Sequence, residues 1–167
     1  NQMQDYNPFS LQGKTLLVTG ASSGIGRAIA VECSRMGATV IATARNGERL
    51  GETLAAMHGT GHTAITADLS DSDGIEKISS GVPRLDGIVH CAGIGDRTLC
   101  RMVREKDLQR VMSVTVDAPL LLQRALMKGK KIAEGASIVF IASRAPFAPT
   151  IGNSLYSASK GALIAYA

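Results

Sequence analysis

"KTLLVTGASSGIG", residues 14–26, decides how the rest of this chain is read. A short aliphatic run ends on Gly20, and an amphipathic stretch begins within a few residues. A strand that turns directly into a helix is the simplest account. Three glycines, Gly20, Gly24 and Gly26, fall in the turn at GxxxGxG spacing. Glycine permits a tight turn and lets an anionic ligand approach the backbone. The amides and dipole of the helix start attract such an anion. Ser22 and Ser23 add hydroxyl donors, and Ile25 sits between the last two glycines. A glycine loop in this strand–helix context points to the pyrophosphate of a dinucleotide.

Reading outward, short apolar runs alternate with amphipathic stretches. The helix after the loop carries Ile25, Ile29, Cys33 and Met36 at helical spacing, with Gly37 as its stop. "TVIATA" is a second strand. A helix capped by Asn46 follows, with Leu50, Leu54 and Met57 on its apolar face. "HTAITADL" is a third strand, and "SDSDGIEKISSG" a short helix with acids in its first turn. "LDGIVHCAG" is a fourth strand. Residues 103–128 form a long helix interrupted or bent near Pro119, "ASIVFIAS" is a fifth strand, and a last helix starts near Tyr156. This alternation predicts an α/β fold over residues 1–167: a Rossmann-like, doubly wound parallel sheet with helices on both faces. Ligands in such sheets bind beyond the carboxyl ends of the strands.

The composition agrees with one globular domain. Of 167 residues, 45% are hydrophobic and 19% charged, with three Phe, three Tyr and no Trp, so the core is expected to be aliphatic. No apolar stretch is long enough for a membrane span, and "NQMQDYNPFSLQGK" at the start has no signal-peptide-like apolar region. Cys33, Cys91 and Cys100 share no metal-binding spacing, and reduced thiols fit a cytoplasmic protein. The net charge of +4 lies mostly in 97–110 and 128–131 without interleaved aromatics, which argues against a nucleic-acid partner.

Two strand ends carry further chemistry. After the second strand, where an acid would bind ribose hydroxyls, stands Arg45, whose planar fork suits a 2′-phosphate. This favours NADP(H), with NAD(H) the other cofactor open. On the last helix Tyr156 and Lys160 are four apart and share a face. A cation beside a phenol stabilises its phenolate, so Tyr156 is placed to exchange a proton with a carbonyl or secondary alcohol.

TGxxxGxG, HCAG at 90–93 and YxxxK at 156–160 together resemble the short-chain dehydrogenase/reductase family from about residue 9 to the end of the sequence. The resemblance implies that Asp68, with Leu69 beside it, contacts the adenine. It implies that His90, Cys91, Ala92 and Gly93 correspond to the family's NNAG segment beside the cofactor, with Cys91 replacing its second Asn. Lys160 would hold the nicotinamide ribose, and Ser143 would be the catalytic serine. A departure occurs in "VTVDAP", 114–119, where Thr115 stands at the position of an Asn that supports a water between the Lys and solvent.

The resemblance also implies a homodimer or homotetramer and a small carbonyl or alcohol substrate. It implies that about another hundred residues follow in family members, so that Ala162–Ala165 would be an apolar face awaiting a partner. Phe147 and Ile151, between Ser143 and Tyr156, are expected to form an apolar wall of the pocket. A non-catalytic nucleotide-binding or scaffold protein of the same fold, and an NAD-linked dehydrogenase, remain alternative readings.

Overall fold

β1, Thr15–Thr19, holds the centre of the sheet because both its faces are apolar. Leu16 and Val18 point to one side and Leu17 to the other, and all three are buried. The computed structural model describes residues 7–167. The part of the N-terminal reading that falls on residues 1–6 lies outside the described residues.

Around β1 stand β2 (Thr39–Ala44), β3 (Thr63–Thr66), β4 (Leu85–His90) and β5 (Ile132–Phe140) in the order β3-β2-β1-β4-β5. Every pairing is parallel. Strand order reverses between β1 and β4, so the doubly wound arrangement follows as expected. The helices are α1 (Gly24–Arg35), α2 (Gly47–Ala55), α3 (Ser72–Gly81), α4 (Glu105–Met112), α5 (Ala118–Lys128) and α6 (Ser154–Tyr166). One core layer joins Leu17, Ile41 and Ile88 to Ile75, Ile78, Leu122 and Leu126 of α3 and α5. The other joins Leu16, Val18 and Val40 to Ala30 and Leu50 of α1 and α2. Both layers are aliphatic. Among the described residues no helix is long and apolar enough to cross a membrane.

Three local readings change. The buried face of α1 is Gly26, Ala30 and Ser34, not the stripe of larger residues, and Ile25 is exposed. Small residues let the helix lie close to the sheet, while Ile29 and Cys33 pack from its flank. β5 begins at Ile132 and ends at Phe140, earlier than the expected run of 136–143. Leu85 pairs with Ile132 but Gly87 with Ser137, so a bulge carrying Gly135 at φ 73 precedes the expected start. The expected interruption of the long helix near Pro119 is a π-helical turn, Ser113–Asp117. Proline cannot donate to the helical ladder, and the wider turn accommodates that loss. On α6, Leu163 is buried against the fold rather than waiting for a partner.

The candidate cofactor and catalytic cleft

At the carboxyl ends of the strands opens one cleft of about 850 Å3. Gly20, Ser22, Ser23, Gly24, Ile25, Gly26, Arg45, Asp68, Leu69, Cys91, Ala92, Gly93, Tyr156 and Lys160 all line it. The glycine loop is held from behind. The Ala21 amide donates to Thr43 O, and the buried Thr53 hydroxyl donates to Ala21 O. The Arg27 guanidinium donates to Ser22 O, to Arg49 O and to the Glu52 carboxylate, which ties the loop to α2. Gly20 has φ 68, and a Cβ there would sit 2.9 Å from the Ala92 backbone. Ser23 is the extended N-cap of α1, yet its side chain makes no cap bond, leaving the hydroxyl for a ligand.

Beyond β2, Arg45 is exposed and lies 3.9 Å from the Asp68 carboxylate. Two further residues of this corner, Asn46 and Arg49, also line the cleft. Sequence reasoning used Asn46 only as a cap, a role it fills by accepting the Arg49 amide. It passed over Arg49, although its place four residues after Arg45, on a helix predicted to start there, was a readable signal. Asp68 is not the cap of α3; Asp71 is, accepting from the Gly74 amide. Burial works against the Asp68 carboxylate. Hydrogen bonds from the Ser70 hydroxyl and amide, with Arg45 nearby, nevertheless hold its pKa below the usual value.

At the end of β4, the Cys91 and Ala92 amides both donate to the buried Thr19 hydroxyl, each at 3.0 Å. Thr19 therefore fixes the loop of β4 against β1. Further along that loop Asp96 is buried, receives Arg110 of α4 at 2.8 Å, and accepts the Thr98 amide. Desolvation raises the Cys91 thiol pKa, opposed by the nearby Lys160, so the thiol stays protonated at neutral pH.

Lys160 is buried, and its ammonium donates to Ile141 O at 2.6 Å. Burial pushes its pKa down. The ammonium lies 5.9 Å from the centroid of the Tyr156 ring. A Cβ built on Gly93 would lie 3.5 Å from Lys160 Nζ and 3.8 Å from Thr115 Oγ1. Thr115, in the π turn, is fully buried and its hydroxyl has no hydrogen-bond partner. Gly93 thus leaves space between an ammonium and an orphaned hydroxyl, a place polar enough for a water. Neither Thr115 nor Ser143 is on the cleft wall, although Val114 and Ala142 are. The Ser143 hydroxyl accepts the Ala145 amide. Phe147 and Ile151 form no wall: they do not line the cleft and are 78% and 92% exposed. In the same loop a Cβ on Gly152 would lie 3.7 Å from the Arg97 backbone.

The cleft fits a dinucleotide, since side chains at Gly20, Gly26 or Gly93 would fill it or collide with its walls. Known proteins place the chain in context. It is 32% identical over 154 residues to the 3-oxoacyl-(acyl-carrier-protein) reductase FabG of Rickettsia felis, covering 92% of this chain and 64% of that protein. A short chain dehydrogenase/reductase of Colletotrichum higginsianum is 34% identical, covering 95% of this chain and 62% of its own length. The chain thus spans less than two thirds of the length of these curated relatives. Among solved structures, an Escherichia coli protein of short chain dehydrogenase type, complexed with NADPH, superposes with a TM-score of 0.86 at 32% identity. That match covers 96% of this chain and 71% of the other. Residues 14–167 match the short chain dehydrogenase family as a whole, and the chain belongs to it.

Proposed function

We propose that this protein is an NADP(H)-dependent oxidoreductase that moves hydride between the nicotinamide and a carbonyl or secondary alcohol. The observation that carries this reading is the single cleft that holds the glycine loop, the Arg45 corner and the Tyr156–Lys160 pair together. Residues 1–167 act in it as one dinucleotide-binding unit. The relatives add the substrate class named for the Rickettsia protein, a 3-oxoacyl thioester, as the first to assay.

The α1 N-terminus and Ser22–Ser23 would hold the pyrophosphate, and Asp68 and Leu69 the adenine side. Arg45, with Arg49 one helical turn on, would take the 2′-phosphate. Lys160 would hold the nicotinamide ribose. A nicotinamide dinucleotide bound there supplies or accepts the hydride. Tyr156 donates the proton to the substrate oxygen in reduction and takes it back in oxidation. The Ser143 hydroxyl, which accepts the Ala145 amide and keeps its own O–H to donate, would stabilise charge developing on that oxygen. Protons reach Lys160 through the space beside Gly93 and Thr115. The Thr115 hydroxyl both donates and accepts, but it is a single polar atom on a shorter side chain than the amide it replaces, so it reaches less far into that space. Thr115→Asn is therefore expected to raise kcat several-fold, and an unchanged kcat would show that this position does not limit turnover.

Three free thiols suit a reducing, cytoplasmic setting. The exposed Leu121 and Met127 of α5 suit packing against a second copy in a homodimer or homotetramer.

The cofactor reading is tested by comparing NADPH with NADH. The chain should prefer NADPH, and Arg45→Asp should reverse the preference. A lost charge-assisted hydrogen bond is worth about 1.5–3 kcal/mol, or about 10- to 100-fold. A preference for NADH in the unaltered chain would overturn the assignment. An NAD-linked enzyme would then be the better reading.

A further inference from the structure

One buried ring takes no part in the chemistry above. His90 is the last residue of β4 and is 3% exposed. Its Nε2 lies 3.1 Å from Gln123 Oε1 of α5. An amide oxygen only accepts, so Nε2 carries the proton and Nδ1 is left as an acceptor. Nδ1 is buried without a partner. The ring stacks on Phe140 of β5, centroids 4.7 Å apart and planes within 11°. Phe140 in turn meets Tyr166 of α6 in a T-shaped pair, ring centroids 5.6 Å apart.

The backbone repeats this connection. The Ile141 amide donates to His90 O, and Ile141 O receives the Lys160 ammonium. The pair Phe140–Ile141 is therefore the dock for α6: one residue takes Tyr166 near the end of the helix, the next takes Lys160. His90 stands behind both, by its ring and by its carbonyl. We propose that His90, tethered by Gln123, is a positioning residue that sets the place of the Phe140–Ile141 dock and so of the Lys160 ammonium in the cleft. Its effect on the cofactor rests on the role of Lys160 proposed above, but its effect on Lys160 does not.

The surroundings require an uncharged ring. From α5 comes Gln123, from β5 Phe140, and from α6 Tyr166 and the cation Lys160; no carboxylate pairs with His90 among the described residues. Burial holds the His90 pKa below its ordinary value, the Gln123 bond opposing. Protonation would put a charge and an unsatisfied Nδ1–H into this cluster.

The test follows the Lys160 side chain by NMR with 13Cε-labelled lysine, the signal assigned by its loss in Lys160→Met, alongside titration with NADPH. His90→Ala should shift the Lys160 signal and weaken NADPH binding about tenfold, as misplaced binding groups do. His90→Phe, which keeps the stacked ring but not the Gln123 bond, should restore both only in part. Gln123→Leu provides the same test without emptying the core. A native Lys160 signal in a folded His90→Ala or Gln123→Leu chain would overturn the proposal. A shifted signal with unchanged NADPH affinity would support the positioning role and overturn the assignment of Lys160 to the cofactor.

Discussion

Turnover of Tyr156→Phe is expected to fall by about 10²–10⁴-fold, the range over which a positioned acid or base contributes. NADPH affinity should change little. Phenylalanine keeps the ring on the cleft wall and keeps a π face toward the Lys160 ammonium, 5.9 Å from the ring centroid. The substitution removes only the hydroxyl, the one group able to pass a proton to the substrate. Lys160→Met should behave differently. It removes the bond to Ile141 O and the charge in the cleft, so it should weaken NADPH binding as well as turnover. The pair of variants thus separates proton transfer from cofactor binding. Steady-state cofactor oxidation with a panel of ketones and a 3-oxoacyl thioester gives kcat, and a direct titration gives the dissociation constant. Activity that survives in Tyr156→Phe would remove the proposed acid. Absence of activity in both the unaltered chain and the variant, with NADPH binding intact, would favour a nucleotide-binding protein without catalysis.

What could be read from the sequence was what depends on local rules. The glycine loop, the Asn46 cap, the stop at Gly37 with its φ of 96, and the strand–helix alternation each follow from backbone preferences within a few residues. Those rules brought the glycine loop, Arg45, Asp68 and Cys91–Gly93 to one cleft, because in a doubly wound sheet such a cleft is walled by strand ends. Readings that depended on a partner were less secure. Helical periodicity picked out Ile25 and Ile29 on α1, whereas close approach to the sheet selects Gly26, Ala30 and Ser34. The bulge in β5 arises in its pairing with β4, which no window on residues 132–143 contains. Phe147 and Ile151 were read by side-chain type, but the path of their loop leaves them in solvent. His90 entered only as the first residue of HCAG, and nothing in the sequence gave its contacts. A histidine in an apolar strand is unremarkable until Phe140, Gln123 and Ile141, distant in sequence, are brought around it.

Gly26→Ala is expected to abolish measurable NADPH binding in the micromolar range and to lower stability by about 3 kcal/mol, the upper part of the overpacking range. A Cβ on Gly26 would run into Gly20 O, with Gly20 C at 2.7 Å and Ala21 Cα at 3.2 Å. Every one of these obstacles is backbone, so no rotamer change relieves the contact. Gly20 cannot retreat either, because its own Cβ position is closed by Ala92 at 2.9 Å and its φ is 68. The added methyl group must therefore lift the start of α1 away from β1, and with it the amides that would receive the pyrophosphate. The two neighbouring comparisons make the argument specific. Gly24 has open space around its Cβ position but a φ of 52, so Gly24→Ala should cost only the left-handed strain, about 1 kcal/mol. Gly51, inside α2, meets nothing and has no such strain, so Gly51→Ala should stabilise the chain by about 0.5–1 kcal/mol. Thermal unfolding of the three variants, with NADPH titration of each, checks the order. If Gly26→Ala bound NADPH as the unaltered chain does, the glycine loop would not be the pyrophosphate cradle.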